Sequence, residues 1–552
     1  MTFFRTWNLF ALCAAVVVKV SLAATVTYNW DITWVLANPD GRLVRPVIGI
    51  NNQWPCPTLR ANVGDTVIVN VVNQLGNETT SIHYHGLYQN GTTEMDGPAE
   101  VSQCLIPPGG SFTYEFTINQ PGTYWYHSHA PAQYPDGLRG PLIIDDPNSP
   151  YAGHYDEELV LTLSDWYHDQ MPGLFNTYLS AAKNPSGAEP VPYSALFNDN
   201  QNIQFAFTPG KTYFVRIISM AAFAATYVSF DEHEMTIIET DGIYTQPTTA
   251  SQIYVTAAQR YGVLITAKPT ANKNYAFIGS QDLTMFNYIP SYLNPNVTGY
   301  LVYNQRAPLP PPLELTTFDP IDDFTIEPYD KEPLFPKPDK TVTLAFEFTT
   351  IQGQNRAIFN NVTYLPQKVP SLYTALSTGV HATDPRVYGV NANAFVLSPG
   401  TSVEIVLNNF DNGGHPFHLH GHAFQVVARS EVNAGTYPGD NAVALAPIPV
   451  RRDVVMVQAG GYVVLRFIAN NPGVWFFHCH IEWHLESGLA TTFIESPLLI
   501  QQNIKVPSQH YATCKADGQP YQGNAAGNTM NVYDLNGANV NPPQDFMGAL
   551  VG

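Results

Sequence analysis

The chain has 552 residues, of which 45% are hydrophobic and 13% charged, so it is too apolar for a disordered protein and long enough for three or four domains. Its formal net charge of −20 argues against a nucleic-acid partner, because phosphate binding requires a basic surface. An acidic surface suits cationic substrates as well as solubility.

The N-terminal residues predict a secretory signal over residues 1–23. Arg5 precedes an apolar stretch that is too short to span a membrane, and Ser21-Leu22-Ala23 forms a cleavage site of small residues. We therefore expect a secreted protein, or a cell-surface protein if the full gene continues past Gly552 into an anchor. Secretion predicts glycosylation at the four sequons that begin at Asn77, Asn90, Asn296 and Asn361.

Strand patterns separated by turn residues dominate the rest of the chain, and helical periodicity is scarce. The 39 glycines and 45 prolines suit many short strands joined by turns. The pattern is typical of an all-β protein built from sandwiches. The predicted strands are Thr66–Val72, Phe112–Thr117, Glu158–Thr162, Thr212–Ile218, Gln252–Thr256, Thr341–Phe346, Ser402–Leu407 and Val463–Ile468.

The first and last thirds of the chain repeat one pattern. Residues 121–147 begin Pro-Gly-Thr-Tyr-Trp-Tyr-His-Ser-His, and residues 472–497 begin Pro-Gly-Val-Trp-Phe-Phe-His-Cys-His. The middle third keeps the β frame from Pro209 to Phe214 but has no His-x-His pair. This predicts three β domains over residues 24–148, 149–306 and 341–500, with a Pro-rich linker over 307–340 and a C-terminal tail over 501–552.

Ten of the 16 histidines lie in four clusters. Residues i and i+2 of a strand point to the same face, so each His-x-His pair aims two imidazoles at one place. Four such pairs supply eight imidazoles, which suits a polynuclear copper centre, whereas zinc usually takes four ligands. The eight are His83, His85, His127, His129, His418, His420, His478 and His480.

Cys479 points away from its neighbours His478 and His480, so it must serve a different metal. With His415 and His484 it completes a His₂Cys set, which is the composition of a blue-copper electron-transfer site. A protein that only binds or stores copper is the alternative, but storage does not require a cysteine flanked by two cluster ligands.

These motifs resemble the four copper signatures of the multicopper oxidases, and the resemblance covers essentially the whole mature chain. It implies three cupredoxin-like Greek-key β-sandwich domains, four copper ions and O₂ as the electron acceptor, and we expect a monomer. By this resemblance His415, Cys479 and His484 hold the type 1 copper, while His83 and His418 hold type 2. The type 3 pair is then held by His85, His127, His129, His420, His478 and His480.

The resemblance also assigns roles to residues around the copper ions. Leu489 falls at the axial position of the type 1 copper, where an apolar residue raises the potential. Asp96 and Glu482 match family acids beside the cluster, as proton donors or as partners that orient a ligand histidine. With Cys479 bound to metal, the mature chain can form at most one disulfide. The family pattern pairs Cys104 with Cys514 and leaves Cys56 free.

Among multicopper oxidases the chain most resembles the fungal iron-uptake ferroxidases, which bind Fe(II) through carboxylates near the type 1 histidines. Glu189, Asp282 and Asp411 fall at the matching positions. Arg356 replaces a tyrosine that is frequent near the iron site, and a positive charge there would oppose Fe(II) binding. The resemblance implies Fe(II) oxidation and a possible iron permease as partner, and the alternative is a laccase that oxidises phenols or aromatic amines.

Overall fold

The computed structural model describes residues 23–543, and the predicted secretory signal lies almost entirely outside this range. Within residues 23–543 the strands form six sheets, which pair into three sandwiches along the chain. Strand β4, Thr66–Asn73, shows why these segments form strands with one face in the core. Its residues alternate between buried and half-buried positions. The valines at 67, 69 and 71 face the core of the first sandwich.

The first sandwich contains two four-stranded sheets, in the orders β2-β1-β4-β6 and β3-β8-β7-β5. Strand β1 runs parallel to β4, whereas β5 and β7 are antiparallel. The eight strands are β1 Thr25–Ala37, β2 Arg45–Ile50, β3 Leu59–Asn62, β4 Thr66–Asn73, β5 Ile82–His85, β6 Ser111–Thr117, β7 Gly122–Ser128 and β8 Arg139–Asp145.

The second sandwich pairs a six-stranded sheet, β10-β9-β12-β17-β14-β15, with a five-stranded sheet, β11-β19-β18-β13-β16. The strands are β9 Glu157–Trp166, β10 Ser194–Phe197, β11 Gln204–Ala206, β12 Thr212–Ser219, β13 Thr226–Phe230, β14 Met235–Thr240, β15 Ile243–Ala250, β16 Gln252–Val255, β17 Arg260–Thr266, β18 Tyr275–Gln281 and β19 Asn296–Val302.

The third sandwich repeats this topology, with sheets β21-β20-β23-β28-β25-β26 and β22-β30-β29-β24-β27. The strands are β20 Lys340–Ile351, β21 Gln354–Phe359, β22 Ala394–Leu397, β23 Ser402–Asn409, β24 His415–Leu419, β25 Phe424–Arg429, β26 Arg451–Arg452, β27 Val454–Val457, β28 Tyr462–Ile468, β29 Gly473–Cys479 and β30 Ala490–Glu495.

Helices are short and lie between or after strands. They are α1 Met171–Tyr178, α2 Ser371–Ser377, α3 Glu482–Glu486, α4 Pro497–Asn503 and α5 Ser508–Ala516. The chain between β19 and β20 is irregular apart from a 3-10 turn at Asp323–Thr325. Helix α5 carries Cys514, which forms a disulfide with Cys104 of the first sandwich, and Cys56 is a free, buried thiol.

The fold class is confirmed: the protein is all-β, with three cupredoxin-like Greek-key sandwiches. All eight predicted strands coincide with observed ones, apart from a one-residue overrun at Thr256. The largest core cluster runs through the second and third sandwiches and reaches Trp125 of the first, so the sandwiches pack together as neighbours. This packing brings the histidine strands of the two end sandwiches face to face.

Candidate metal centres

The eight paired histidines lie on or directly after four strands, β5, β7, β24 and β29. The strands pair antiparallel so that His83 lies opposite His127 and His418 lies opposite His478. Residues opposite each other in a ladder place their side chains on the same face. Each end sandwich therefore presents two neighbouring His-x-His pairs. All eight rings are buried except that of His129, which is half-buried.

The ring nitrogens converge on three places between the first and third sandwiches. In each group the candidate ligand atoms lie within 4.8 Å of one another. One group contains the predicted type 2 ligands His83 and His418 together with His85. The other two divide the six predicted type 3 ligands into triplets that each use both sandwiches: His85, His127 and His480, and His129, His420 and His478.

Hydrogen bonds hold many of these rings by one nitrogen and leave the other for a metal. The Nδ1 atom of His83 lies 2.7 Å from the carbonyl oxygen of Asp96, and Nδ1 of His127 lies 2.8 Å from that of Ser128. His418 and His478 make the same kind of contact at 2.9 Å. The free Nε2 atoms of His83, His127 and His418 are buried without a hydrogen-bond partner. Buried polar atoms without partners are costly, so these nitrogens are suited to bind a metal cation.

A third-sandwich site lies on the opposite face of β29. The Sγ atom of Cys479 lies 3.8 Å from Nδ1 of His415 and 3.5 Å from Nδ1 of His484, and the two nitrogens are 3.0 Å apart. Leu489 is fully buried and its carbonyl accepts a hydrogen bond from the Cys479 amide. Burial raises the pKa of the Cys479 thiol, so the thiolate needs a metal to stabilise it. One soft sulfur and two imidazoles suit copper.

Two of the three predicted iron carboxylates contact this site. Glu189 Oε1 lies 2.8 Å from Nε2 of His484, and Asp411 Oδ2 lies 3.1 Å from Nε2 of His415. Burial acts to raise the pKa of Asp411, but the hydrogen bond and charge of His415 outweigh it and lower the pKa to about 2. Asp282 instead accepts hydrogen bonds from Tyr254 and Thr284.

The guanidinium of Arg356 is buried and hydrogen-bonded through all three of its nitrogens. It donates hydrogen bonds to the carbonyls of Glu486 and Tyr364 and to the Thr363 hydroxyl. Within residues 23–543, none of its hydrogen bonds reaches Glu189 or Asp411. The pKa of Arg356 is lowered by burial to about 10, with Glu486 acting in the opposite direction.

The two predicted acids differ in their surroundings. Asp96 is fully buried between the end sandwiches, with Oδ2 at 2.9 Å from Nδ1 of His420 and Oδ1 at 3.2 Å from Nδ1 of His83. This geometry orients two ligand rings at once. Glu482 begins α3 between His480 and His484, and burial, reinforced by Glu486, raises the pKa of its carboxyl well above the usual range.

Sequence reasoning missed two residues at the cluster. Asp453 Oδ1 lies 3.2 Å from Nε2 of His85, and Arg260 of the middle sandwich donates to both oxygens of that carboxylate. Neither belongs to a histidine motif, and neither lies near His85 in the sequence, so local spacing gave no signal. Of the four sequons, Asn77, Asn90 and Asn361 are exposed and Asn296 is half-buried.

The three-sandwich architecture and the candidate histidine and cysteine ligands together indicate one class of copper protein. Sequence models of the multicopper oxidase family match residues 31–149, 157–306 and 364–498, and the chain belongs to this family of copper enzymes.

Individual relatives and solved structures show which members of the family this chain resembles. The iron transport multicopper oxidase fetC of Epichloe festucae is 50% identical over 542 residues, covering 98% of this chain and 87% of the relative. The crystal structure of Fet3p, a multicopper oxidase that functions in iron import, aligns with a TM-score of 0.91 at 43% identity, covering 94% of this chain and all of the other. A laccase from Botrytis aclada aligns with a TM-score of 0.77 at 28% identity, covering 90% and 92%. Within residues 23–543, no helix is long and apolar enough to cross a bilayer.

Proposed function

We propose that this protein is a ferroxidase that couples oxidation of Fe(II) to reduction of O₂ to water. Four copper ions would be held as predicted, one by His415, Cys479 and His484 and three by the eight paired histidines. Bound copper would supply one-electron oxidation at the first site and four-electron reduction of O₂ at the second. Cys479 is joined covalently to His478 and His480, so the chain itself provides a short path between the two sites.

The observation that carries the proposal is the pair of carboxylates on the outer nitrogens of His415 and His484. Carboxylate oxygens bind Fe(II), a borderline cation, and prefer the harder Fe(III), and anions stabilise Fe(III) more than Fe(II), which favours oxidation. Glu189 and Asp411 therefore bind the substrate ion and connect it to the copper ligands by one hydrogen bond each. Their side chains are 13% and 33% exposed, so the ion can enter from solvent.

The two carboxylates come from different parts of the chain. Glu189 belongs to the proposed middle domain, residues 149–306, and Asp411 to the proposed last domain, residues 341–500. The iron site therefore requires the docked arrangement of these domains. Asp282 caps the turn Leu283–Met285, and Asn287 just beyond this turn donates a hydrogen bond to Oε2 of Glu189 at 3.1 Å, so Asp282 supports the iron site indirectly.

A cavity separate from the iron site gives O₂ and protons access to the histidine cluster. A cavity of about 470 Å³ reaches His129 and is lined by Glu486, Arg356 and the tail residues 539, 541 and 543. We assign to it the entry of O₂ and the exit of water, with Glu482 as the nearby proton donor and Asp96 chiefly orienting His83 and His420.

We further propose that the protein works outside the cell as a monomer, and that a permease receives the Fe(III).

One observation favours laccase activity as a second candidate function. A cavity of about 360 Å³ beside Glu189 is lined by five tyrosines: Tyr167, Tyr178, Tyr193, Tyr288 and Tyr292. Aromatic faces bind a phenol or aromatic amine by stacking.

The test is the double variant Glu189→Ala/Asp411→Ala, measured as kcat/KM for Fe(II) and for a phenol at one pH. The loss for Fe(II) should be at least tenfold, about 1.4 kcal/mol of transition-state stabilisation, with a much smaller loss for the phenol. Glu347→Ala is the matched control, because Glu347 is exposed beside Phe348, whose ring packs against both copper-site histidines. Equal losses for both substrates would mean that the carboxylates tune the copper, and no loss for either would favour the laccase.

A further inference from the structure

Asp453 occupies the point where the three sandwiches meet at the histidine cluster. It lies between β26 and β27 of the third sandwich and is 2% exposed. Its Oδ1 is 3.2 Å from Nε2 of His85 in the first sandwich, and its backbone carbonyl is 2.9 Å from Nδ1 of His418. One residue thus contacts a predicted type 3 ligand and a predicted type 2 ligand.

The contact with His85 differs from those made by the other oriented rings. His83, His127, His418, His420 and His478 are held by Nδ1, which leaves Nε2 for the metal. His85 is held by Nε2, and its Nδ1 is buried without a hydrogen-bond partner. A neutral imidazole carries one proton, so an Nε2–H that donates to Asp453 makes Nδ1 the lone-pair nitrogen.

Arg260, on β17 of the middle sandwich, holds the Asp453 carboxylate by donating to both of its oxygens. Its Nη1 lies 2.7 Å from Oδ1 and its Nη2 contacts Oδ2, a two-point grip that a planar guanidinium makes well. The guanidinium is itself held by the carbonyls of Thr123 and Ala258. Asp241 accepts from the Arg260 amide at 2.7 Å and pairs with Arg452, so the ion pair continues into a buried network.

Gly86 makes room for this ion pair directly beside His85. Its φ is +92°, and a Cβ at this position would lie 2.6 Å from Nη2 of Arg260 and 2.9 Å from Oδ2 of Asp453. Both distances are shorter than a Cβ atom approaches other heavy atoms in real proteins. A glycine after the second histidine therefore lets an arginine of the middle sandwich approach a cluster assembled by the other two.

We infer that Asp453, held by Arg260, is a positioning residue that selects the His85 tautomer with Nδ1 facing the cluster. The middle sandwich supplies none of the eight imidazoles, and it acts on the cluster through this arginine. The inference rests on the proposed copper cluster but not on iron as the substrate. A carboxylate that accepts the second N–H of a ligand histidine typically changes metal affinity by 10–100-fold when it is replaced.

The experiment compares Asp453→Asn and Arg260→Lys with Glu404→Gln. An asparagine has one acceptor oxygen and no charge, so if its oxygen faces His85 its amide NH₂ must face Nη2 of Arg260, and a lysine loses the two-point grip. Glu404→Gln is the matched control, since it breaks a buried 2.8 Å ion pair with Arg466 in the same sandwich and touches no predicted ligand. Copper affinity is measured by competition titration, with copper per chain, the type 2 EPR signal and the blue absorption recorded on each holoprotein.

We expect cluster affinity to fall at least tenfold in Asp453→Asn and less in Arg260→Lys, with an altered type 2 signal and unchanged blue absorption. Glu404→Gln should lose stability without losing cluster copper. Unchanged cluster affinity and EPR in Asp453→Asn would overturn the inference, as would parallel losses at both centres in all three variants. A loss in Asp453→Asn alone would retain the role of Asp453 and overturn that of Arg260. Activity with Fe(II) enters none of these outcomes, so failure here is distinct from failure of the ferroxidase proposal.

Discussion

The two candidate metal centres share strand β29, but the second nitrogens of their histidines have different surroundings. In the cluster, the second nitrogens of most rings contact buried carbonyls or carboxylates, such as those of Asp96 and Asp453. At the Cys479 site, the second nitrogens of His415 and His484 contact carboxylates that remain partly exposed. The comparison teaches that a histidine of a candidate metal centre is either enclosed by the protein or placed next to a solvent-accessible carboxylate, according to what its second nitrogen contacts.

Removing Cys479 should separate the two centres most completely. Cys479→Ser should abolish the blue colour and oxidase activity while cluster copper remains, because only this sulfur faces away from the cluster. Cys56→Ser is the matched control, since Cys56 is also buried and free. Metal analysis, absorption spectra and O₂ uptake measure the outcome. Full activity in a copper-replete Cys479→Ser protein would falsify the electron path.

The disulfide offers a change that should spare both centres. Cys104→Ser/Cys514→Ser releases a link across a sequence separation of 410 and should lower the free energy of unfolding by about 2–5 kcal/mol. Denaturant unfolding under oxidising and reducing conditions measures this. Below the unfolding transition the blue absorption and type 2 signal should be unchanged. Loss of either signal in the folded variant would show that the tail supports a metal centre.

Leu489→Met should sharpen the electronic difference between the centres. A thioether at the axial position adds a weak ligand and should lower the potential of the Cys479 site, by on the order of 60 mV for a tenfold change in the one-electron equilibrium. Redox titration of the blue absorption measures the shift. Leu419→Met, a buried leucine between two cluster histidines, is the control and should leave this potential unchanged. An equal shift in both variants would assign the effect to general repacking.

The smallest expected effect on turnover concerns Arg356. Its guanidinium is hydrogen-bonded to backbone near Glu486, so Arg356→Met should cost about 1–3 kcal/mol of stability through unsatisfied buried partners. The kcat/KM for Fe(II) should stay within about twofold, a change of roughly 0.4 kcal/mol. Parallel unfolding and kinetic measurements separate the two effects. A clear gain with Fe(II) and none with a phenol would instead show that the positive charge reaches the iron site.

The sequence predicted the strands, the repeat and the copper-ligand candidates because these depend on local periodicity. A His-x-His pair on a strand shares a face in any sandwich, and Cys479 must point away from its two neighbours. In the structure these side chains lie in groups of three whose candidate ligand atoms are within 4.8 Å of one another. Glu189 and Asp411 could be named only through family resemblance, since single carboxylates have no periodic pattern.

Contacts across domains were decided by the tertiary structure alone. Glu189 meets His484 across 295 residues, Asp453 meets His85 across 368, and Arg260 meets Asp453 across 193. Arg356 donates to the carbonyls of Glu486 and Tyr364, partners that are 130 and 8 residues away in the sequence. Local spacing fixes which residues share a face of one strand, but sandwich packing fixes which faces meet. The strand pattern of the sequence thus predicts the candidate ligands of this protein. The residues that orient those ligands depend on how the three sandwiches dock.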